Sequence, residues 1–373
     1  MDKRFNAWPD YDNCIANLPN SVMSYFGVKP KGKSLPLLDG YLTKDYKNIV
    51  VLLLDGMGMN IIRKNLNEDG FFRAHLAGQY SSTFPPTTVA ATTSILSGQM
   101  PNEHGWLGWD CYYPQIDKNV TVFFNVLQGT KEPAADYNVP YTYCGYENVI
   151  TRLNNEGKTT HLVAPFIDPY PDSFEKISNM IKELSFKEGK KYIYAYFDEP
   201  DNSMHKTGCF SEQSVSILNK IEEQVEELCA GLEDTLFVIT ADHGHIDSKG
   251  VCIQDYPSIM KCLVRMPSIE PRALNLFIKT DMKERFVEEF NRLFSDEFVL
   301  MTREEVIDSK LFGTGTDHEC FKDMLGDYLA VATGDTTIFN TREEAEEFIG
   351  VHAGLTVDEM MIPLIVIDTK GRE

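Results

Sequence analysis

Three of the four short apolar segments of this chain are followed at once by polar residues that could bind a ligand, and this arrangement constrains the fold most. Residues 49–54, 191–197 and 235–241 are followed directly by Asp55-Gly56, by Asp198-Glu199 and by Asp242-His243, and residues 160–165 form a further apolar segment. Helical patterns lie between the segments, and strands that alternate with helices predict a parallel sheet with helices on both faces. Ligands of such sheets bind at the carboxyl ends of the strands, where the polar residues would lie.

A change of pattern near residue 268 predicts an insertion into this α/β core. The segments RALNLFIK, DMKERFVEEFNRLF and EFVLM predict a strand, a helix and a strand, after which DYLAVATGD returns to the core. Because 373 residues are many for one simple core, we expect a catalytic core of residues 1–267 and 326–373 with a small inserted α+β cap of residues 268–325. Two separate domains are the alternative.

The charge of the chain limits its partners. The formal net charge is −21 and the sequence pI is about 4.8. Such an acidic surface repels long nucleic acids, whose binding depends on Lys and Arg. A small phosphorylated substrate is compatible with this charge, because bound metal can reverse the local potential inside a cleft.

The sequence also predicts where the protein works. The N-terminal residues contain no apolar signal region, and no apolar run reaches the length of about 18 residues that would span a membrane. The eight cysteines include no CxxC pair and are expected to be reduced thiols. These features predict a cytoplasmic protein without membrane contact, provided that the N-terminus is complete, and leave the oligomeric state open.

The segment TFPPTTVAATTSILSGQMPNEHGW, residues 83–106, predicts a helix that begins at a threonine. Pro85 and Pro86 prevent an earlier start, so Thr87 and Thr88 fall where the N-cap belongs. A hydroxyl at this place faces free N–H groups and the positive end of the helix dipole, which favour an alkoxide and a bound phosphate. An ordinary threonine cap is the alternative.

Two polar groups follow the strands at 49–54 and 191–197. Asp55 would project from the first strand end into a cleft, although Asp-Gly is also a common turn pair. Asp201 and His205 would share one face of a helical turn and offer a carboxylate and an imidazole to zinc, manganese or iron. A capping aspartate and a surface histidine are the alternative for this second pair.

The sequence Asp242-His243-Gly244-His245 follows the buried strand at 235–241. Packing alone does not explain such a polar group at a strand end, so we expect Asp242 and His243 to bind metal. His245 is expected to support the ligands rather than to be one. His352, which precedes a short helix and the last strand MIPLIVI, is a candidate only because of the other residues.

The sequence therefore offers seven candidates at or just beyond predicted strand ends: Asp55, Thr88, Asp201, His205, Asp242, His243 and His352. A phosphoryl-transfer site with two metal ions needs such a set, because the ions activate a nucleophile and stabilise the attacking and leaving oxygens.

The ordered motifs LLLDGMG, FPPTTVAATTSILSG, MPNEHG, DEPDNSMHKTG, TADHGH and HAGLTVDEMMIPL resemble those of the alkaline phosphatase superfamily. From about residue 49 to 367, outside the cap, the chain is similar to the type I phosphodiesterase/nucleotide pyrophosphatase branch, which includes phosphonoacetate hydrolase. The resemblance implies an alkaline-phosphatase-like α/β fold. It also implies two divalent metal ions, usually zinc, with manganese or iron as variants.

The resemblance further implies roles for individual residues. It implies two metal sites, the first formed by Asp201, His205 and His352 and the second by Asp55, Thr88, Asp242 and His243. Counting back from Ser97-Gly98 makes Thr88 rather than Thr87 the nucleophile, whereas counting from Phe84-Pro85 points to Thr83.

One position departs from the family pattern. The diesterase branch has a phosphate-binding Asn five residues after the His of its His-Gly pair, and here that offset from His104 gives Trp109. The contact to the phosphoryl oxygen is then expected from a backbone N–H near Thr88 or from Asn125. The sulfatase branch fits less well because no Cys/Ser-x-Pro-x-Arg motif is present, and the mutase branch uses a serine nucleophile.

These observations predict a two-metal hydrolase of phosphoric esters, of the phosphodiesterase/nucleotide pyrophosphatase type, that acts through a covalent phospho-threonine. A phosphomonoesterase or a phosphonate hydrolase on the same site is the nearest alternative. A catalytically silent metal-binding or interaction protein with the same fold is the alternative from another class.

Overall fold

The computed structural model describes residues 4–370, which form two large sheets, two small strand pairs and the surrounding helices. The strands are β1 (Asn48–Leu54), β2 (Leu76–Ser81), β3 (Asp110–Tyr113), β4 (Lys118–Thr121), β5 (Val126–Leu127), β6 (Thr159–Val163), β7 (Lys191–Phe197), β8 (Thr235–Thr240), β9 (Ile246–Asp247), β10 (Lys249–Cys252), β11 (Ser268–Glu270), β12 (Ala273–Leu276), β13 (Phe298–Thr302), β14 (Tyr328–Ala332), β15 (Thr336–Phe339), β16 (Gly350–Val351) and β17 (Met361–Asp368).

The helices range from single turns to the nineteen residues of the longest. They are α1 (Asn17–Tyr25), α2 (Pro36–Asp39), α3 (Met59–Asn65), α4 (Phe71–Ala74), α5 (Thr88–Ser97), α6 (Pro101–His104), α7 (Val139–Tyr143), α8 (Val149–Asn155), α9 (Phe174–Phe186), α10 (Asp201–Thr207), α11 (Glu212–Ala230), α12 (Pro257–Met260), α13 (Lys283–Phe294), α14 (Arg303–Asp308), α15 (Phe321–Met324), α16 (Arg342–Glu347) and α17 (Val357–Met360). Two 3-10 turns occupy Ile253–Asp255 and Thr280–Met282.

The first sheet is the predicted α/β core and has the strand order β2-β17-β8-β1-β7-β6. Strands β8, β1, β7 and β6 are parallel neighbours. Every side chain of β1 and β8 is buried, as expected for strands that are covered on both faces. Helices α1, α3, α9 and α11 contribute to the same apolar core.

One strand of this sheet does not follow the parallel order that the sequence predicts. Strand β17 runs antiparallel to both β8 and β2. The chain reaches β17 through the loop of His352 and the short helix α17, which lie at the edge where the parallel strands end. A strand that begins at this edge must run in the opposite direction, so the position of His352 accounts for the difference.

The second sheet is antiparallel and has the order β13-β14-β12-β11-β3-β4-β5. The expected strand, helix and strand of the insertion are present as β12, α13 and β13. However, β14, which was predicted to belong to the α/β core, pairs with β12 and β13 of the insertion. Strands β3, β4 and β5 of the same sheet come from residues 110–127. Strands from both sides of residues 268 and 325 thus share one sheet, and the domain division at these residues stays a prediction.

The two faces of the second sheet pack against different partners. Phe290 and Phe294 of α13 belong to the apolar cluster on one face. Leu329 and Val331 of β14 point to the other face and belong to a cluster that includes Val89 of α5. The second sheet therefore lies against the helix that begins at Thr88.

Two further expectations concern membrane-spanning segments and the state of the cysteines. Among the helices formed by residues 4–370, none is long and apolar enough to cross a membrane. All eight cysteines are buried and outside any disulfide.

Candidate active site

The candidate residues converge at the edge of the first sheet where β1, β7 and β8 end. They are Asp55 directly after β1, Asp201 and His205 on α10 after β7, Asp242 and His243 after β8, Thr88 at the start of α5, and His352 after β16. Parallel neighbouring strands bring their carboxyl ends together, which is why residues far apart in sequence meet here. A cavity of about 700 Å³ opens at this edge between the two large sheets, and Asp55, Thr88 and His352 are among its lining residues.

Two buried carboxylates of the site each have one oxygen that lacks a hydrogen-bond partner within the described chain. Asp55 Oδ2 accepts from the Tyr196 hydroxyl, while its Oδ1 has none. Asp242 Oδ1 accepts from the backbone N–H groups of Gly56 at 3.1 Å and His243 at 3.0 Å, while its Oδ2 has none. A buried carboxylate oxygen without a partner is costly, and a bound cation removes that cost.

Three histidines of the site are oriented by the backbone. In each, Nδ1 lies within hydrogen-bonding distance of a carbonyl oxygen: His205 of Gly350 at 2.7 Å, His243 of Gly244 at 3.1 Å, and His352 of Pro86 at 3.2 Å. If Nδ1 donates to the carbonyl, Nε2 is left as an acceptor that faces the carboxylates. Histidine ligands of metals are commonly held in this way.

The Nε2 atoms and the carboxylates form two adjoining groups. In the first group, His205 Nε2 lies 3.3 Å from Asp201 Oδ2, and His352 Nε2 lies 3.9 Å from Asp201 Oδ1. In the second group, His243 Nε2 lies 3.2 Å from Asp55 Oδ1 and 3.5 Å from Asp242 Oδ2. The donor atoms of Asp201, His205, His245 and His352 lie within 4.8 Å of one another, and so do those of Asp55, Asp201 and His243, so that Asp201 adjoins both groups.

The electrostatics show that the site is short of positive charge. Burial, together with the charge of Asp201, raises the pKa of Asp55 well above its usual value. Burial, together with neighbouring His243, lowers the pKa of His352. Burial acts to lower the pKa of His205 as well, but the Asp201 carboxylate outweighs it and raises this pKa to about 9. A divalent cation would supply the charge that the buried carboxylates lack.

The three threonines considered from the sequence occupy different surroundings. Thr88 is the first residue of α5, lines the cavity, and has its Oγ1 3.3 Å from His243 Nε2. The Thr87 hydroxyl donates to Glu270 Oε1 at 2.6 Å. Thr83 is fully buried and is not part of the cavity wall. Thr88 is therefore the threonine whose hydroxyl faces the two groups.

His245 lies closer to the first group than a supporting residue needs to be. Its Nε2 is 2.5 Å from Asp201 Oδ1, and its donor atom falls within the same cluster as those of Asp201, His205 and His352. Burial lowers the pKa of His245 to about 4, so the ring is neutral at neutral pH. It can donate to Asp201 or replace it beside an ion.

The two residues suggested for substrate contact are placed differently. Trp109 is 42% exposed, lines the cavity, and contacts the rings of Phe123 and Phe124. Asn125 is not part of the cavity wall, and its amide group is engaged with the backbone of Tyr137 at 2.9 Å and of Val139 at 2.8 Å. Trp109 therefore lies at the site, whereas the Asn125 side chain stabilises the loop at Tyr137 and Val139.

Sequence reasoning did not identify Glu270, which lines the same cavity from the second sheet. Its Oε1 accepts from the Thr87 hydroxyl and from the Trp109 N–H at 2.8 Å. Burial raises the pKa of Glu270 to about 7, against the effect of these two hydrogen bonds. No local signal marks this residue, because it belongs to a strand of three residues whose partner β3 is far away in sequence. The sequence also gave no sign of Tyr196, whose hydroxyl donates to Asp55, because a tyrosine near the end of an apolar strand reads as part of the core.

A buried ion pair fastens the His352 loop to the second sheet. Arg272 donates from Nε to Glu359 Oε1 at 2.7 Å and from Nη2 to Glu359 Oε2 at 2.9 Å, and both side chains are fully buried. Glu359 also accepts from the Gly354 N–H at 2.7 Å, two residues after His352. Thr356 caps the start of α17, whereas Glu359 serves mainly as the partner of Arg272.

The family model described as type I phosphodiesterase/nucleotide pyrophosphatase matches residues 49–354. The chain belongs to this family. No curated protein matches the chain in sequence.

Solved structures with the same fold include ectonucleotide pyrophosphatase/phosphodiesterase 5 and a phosphonoacetate hydrolase. Human ectonucleotide pyrophosphatase/phosphodiesterase 5 has 15% identity and a TM-score of 0.67, over 85% of this chain and 87% of that chain. The murine protein, as an inactive variant in complex with AMP, has 15% identity and a TM-score of 0.64, over 87% and 90%. Phosphonoacetate hydrolase from Sinorhizobium meliloti 1021, in complex with phosphonoformate, has 14% identity and a TM-score of 0.63, over 86% and 90%.

These comparisons confirm three predictions from the sequence. The family is confirmed, as are the alkaline-phosphatase-like α/β fold and the class of enzyme, a hydrolase of phosphoric esters. The roles of the individual site residues stay predictions.

Proposed function

We propose that this enzyme is a phosphodiesterase that uses two divalent metal ions and forms a covalent intermediate on Thr88. The observation that carries the proposal is the surroundings of His243 Nε2. The unpaired oxygens of Asp55 and Asp242 and the Thr88 hydroxyl all lie 3.2–3.5 Å from this one atom. Metal-assisted phosphoryl transfer requires a nucleophile beside ligands that can hold metal ions, and this buried group of side chains offers both.

The donor atoms fit two ions of the zinc type. The first ion would be held by Asp201, His205 and His352, with His245 beside Asp201, and the second by Asp55, Asp242, His243 and Thr88. Carboxylate and imidazole ligands suit zinc, with manganese or iron as alternatives. Such ions lower the pKa of a hydroxyl and neutralise charge on the transferred group.

The residues of the chain perform the rest of the reaction. The Thr88 hydroxyl would release its proton to solvent, and Oγ1 would form a bond to phosphorus while the bond from phosphorus to the leaving oxygen breaks. The leaving oxygen takes up a proton from solvent where it needs one, and water then cleaves the threonine ester to return the hydroxyl. Backbone N–H groups in the first turn of α5 have no partners inside the helix and can donate to the phosphoryl oxygens. They replace the Asn that the family has at the position of Trp109.

The shape of the cavity favours a diester over a monoester. Its volume of about 700 Å³ far exceeds a phosphate group, and exposed rings of Trp109, Phe123, Phe124 and Phe166 line it. These rings would contact a large substituent on phosphorus. The murine neighbour was solved with AMP and the bacterial one with phosphonoformate, both of them small phosphorus compounds. We propose that the substrate of this enzyme is also a small phosphorus compound. The cytoplasmic location stays a prediction.

The test uses protein stripped of metal and reloaded with zinc, manganese or iron. We expect two ions per chain at the catalytic centre and faster hydrolysis of bis-p-nitrophenyl phosphate than of p-nitrophenyl phosphate or phosphonoacetate. Acid quenching during turnover should leave a p-nitrophenyl phosphate adduct on the peptide of Thr88, detected by mass spectrometry.

Each contrary result has its own meaning. Preference for the monoester or for phosphonoacetate would replace the diesterase with one of the alternative hydrolases. Metal binding without turnover of any ester would indicate a silent binding protein, and turnover without an adduct would contradict the covalent step.

A further inference from the structure

A second group of metal-ligating side chains lies apart from the proposed catalytic centre. The Sγ atoms of Cys144 and Cys320 and a ring nitrogen of His318 all lie within 4.8 Å of one another. None of these three residues belongs to the wall of the cavity that contains Thr88. The cluster is therefore separate from the phosphoryl site.

Two distant segments of the chain form this cluster. Cys144 directly follows α7, and Cys320 directly precedes α15. The loop before α15 is held in place because the His318 N–H donates to the Asn102 carbonyl at 2.7 Å. The Cys320 N–H donates to His318 Nδ1 at 3.2 Å, which fixes the imidazole beside the thiol. The donor groups are thus positioned before an ion binds.

The chemistry of the cluster selects a particular class of ion. Two thiols and an imidazole are ligands of zinc and of other thiophilic ions, and sites of Cys and His are typical of structural zinc. Met324 Sδ, another soft donor, lies 3.8 Å from Cys144 Sγ. Magnesium and calcium prefer oxygen ligands, which the three side chains do not offer.

The two thiols of the cluster are buried, whereas its imidazole can be reached by solvent. Cys144 is fully buried and Cys320 is 7% exposed, both inside the apolar cluster beside α5. His318 is only half-buried, and solvent therefore reaches one side of the group.

We propose that Cys144, His318 and Cys320 bind one thiophilic metal ion that ties the end of α7 to the loop before α15. The two thiols release their protons to solvent when the ion binds, and the bound ion stabilises the folded chain. This site does not depend on the function proposed above and takes no part in hydrolysis.

Cobalt(II) distinguishes this site from the catalytic centre. The proposed catalytic ligands offer only oxygen and nitrogen, so a thiolate-to-cobalt charge-transfer absorption in the near-ultraviolet reports the cluster alone. Reduced full-length protein, freed of metal and titrated with cobalt(II), should show this absorption and bind one ion beyond those of the catalytic centre. The same protein loaded with zinc should unfold at a higher temperature than the metal-free form.

Matched variants decide whether the three residues are responsible. The double variant Cys144→Ser with Cys320→Ser should lose the absorption and one metal ion, and His318→Ala should weaken it, while both hydrolyse the nitrophenyl esters. Cys111→Ser removes another buried thiol of the same apolar cluster and should leave the absorption intact. If the double variant does not fold, His318→Ala, at a half-buried position, provides the comparison.

Three results would overturn the proposal. The first is a reduced wild-type protein that shows no thiolate-to-cobalt absorption. The second is an absorption that persists in the folded double variant. The third is a disulfide between Cys144 and Cys320 in the purified protein, detected as two fewer titratable thiols than the eight cysteines provide.

Discussion

The two large sheets of this molecule are built differently and contribute different things to the cavity between them. The first sheet joins parallel strands whose ends carry Asp55, Asp201 and Asp242, the residues proposed to bind metal. The second sheet joins short antiparallel strands from distant segments and contributes Trp109 and Glu270. Under the proposed function, the first sheet would supply the chemistry, while the second would position the segment of Thr88 and contact the substrate.

The largest effect is expected where the chemistry itself is removed. Thr88→Ala should lower kcat by three orders of magnitude or more, since a covalent nucleophile contributes roughly that much. Thr87→Ala should keep most of the activity, although it removes the hydrogen bond to the buried Glu270 and should destabilise the fold by about 1–3 kcal/mol. Steady-state kinetics and urea unfolding of both variants separate the two effects.

Two outcomes would contradict this assignment. An active Thr88→Ala with an inactive Thr87→Ala would place the nucleophile one residue earlier. If both variants were active, water would attack phosphorus directly, and the threonine ester would not form.

The same contrast between the sheets explains what the sequence could predict. Asp55, Asp242 and His243 could be predicted because each follows a continuous apolar run, and parallel strands bring their carboxyl ends to one edge. Glu270 could not be predicted, because its position depends on the pairing of β11 with β3 across more than 150 residues. The partnership of Arg272 with Glu359 was hidden for the same reason, since Glu359 also fits the local pattern of a helix cap.

Breaking the link between the sheets should have the next largest effect. Arg272→Ala leaves Glu359 buried without its partner and should lower the free energy of unfolding by about 3–5 kcal/mol. Arg265→Ala, beside the same sheet, is the control and should cost less, because its partner Asp117 is largely exposed and solvent screens the pair. Equal costs in urea unfolding would show that the buried pair does not hold the sheets together.

The buried carboxyl of Glu270 should make stability depend on pH. Burial raises its pKa from 4.5 to about 7, so the folded state binds more protons than the unfolded state between these values. The resulting stability is fully present below about pH 4.5 and is lost as the pH rises to about 7, by about 3 kcal/mol at most. Glu270→Gln removes this titration. The unfolding free energy of the wild type minus that of the variant should therefore decrease as the pH rises from about 4.5 to about 7.

This measurement is made on metal-free protein, because a bound cation would itself change the protonation of Glu270. Parallel curves for the two proteins between pH 4.5 and 7 would mean that Glu270 is ionised in the fold throughout. The second sheet would then present a fixed negative charge beside Thr87.

The smallest effect should come from the substrate wall of the second sheet. Phe124 is 66% exposed and lines the cavity beside Trp109, so its replacement should leave the fold intact. Phe124→Ala should raise KM for bis-p-nitrophenyl phosphate by roughly three- to tenfold, the equivalent of about 1 kcal/mol of lost aromatic contact. The kcat for p-nitrophenyl phosphate should not change, because the reacting atoms are held by the other sheet. Phe186→Ala removes a ring of similar exposure that lies outside the cavity and should alter neither constant. If Phe124→Ala also behaved like wild type, the substrate would not contact this wall. The second sheet would then contribute Glu270 to the cavity but no aromatic contact to the substrate.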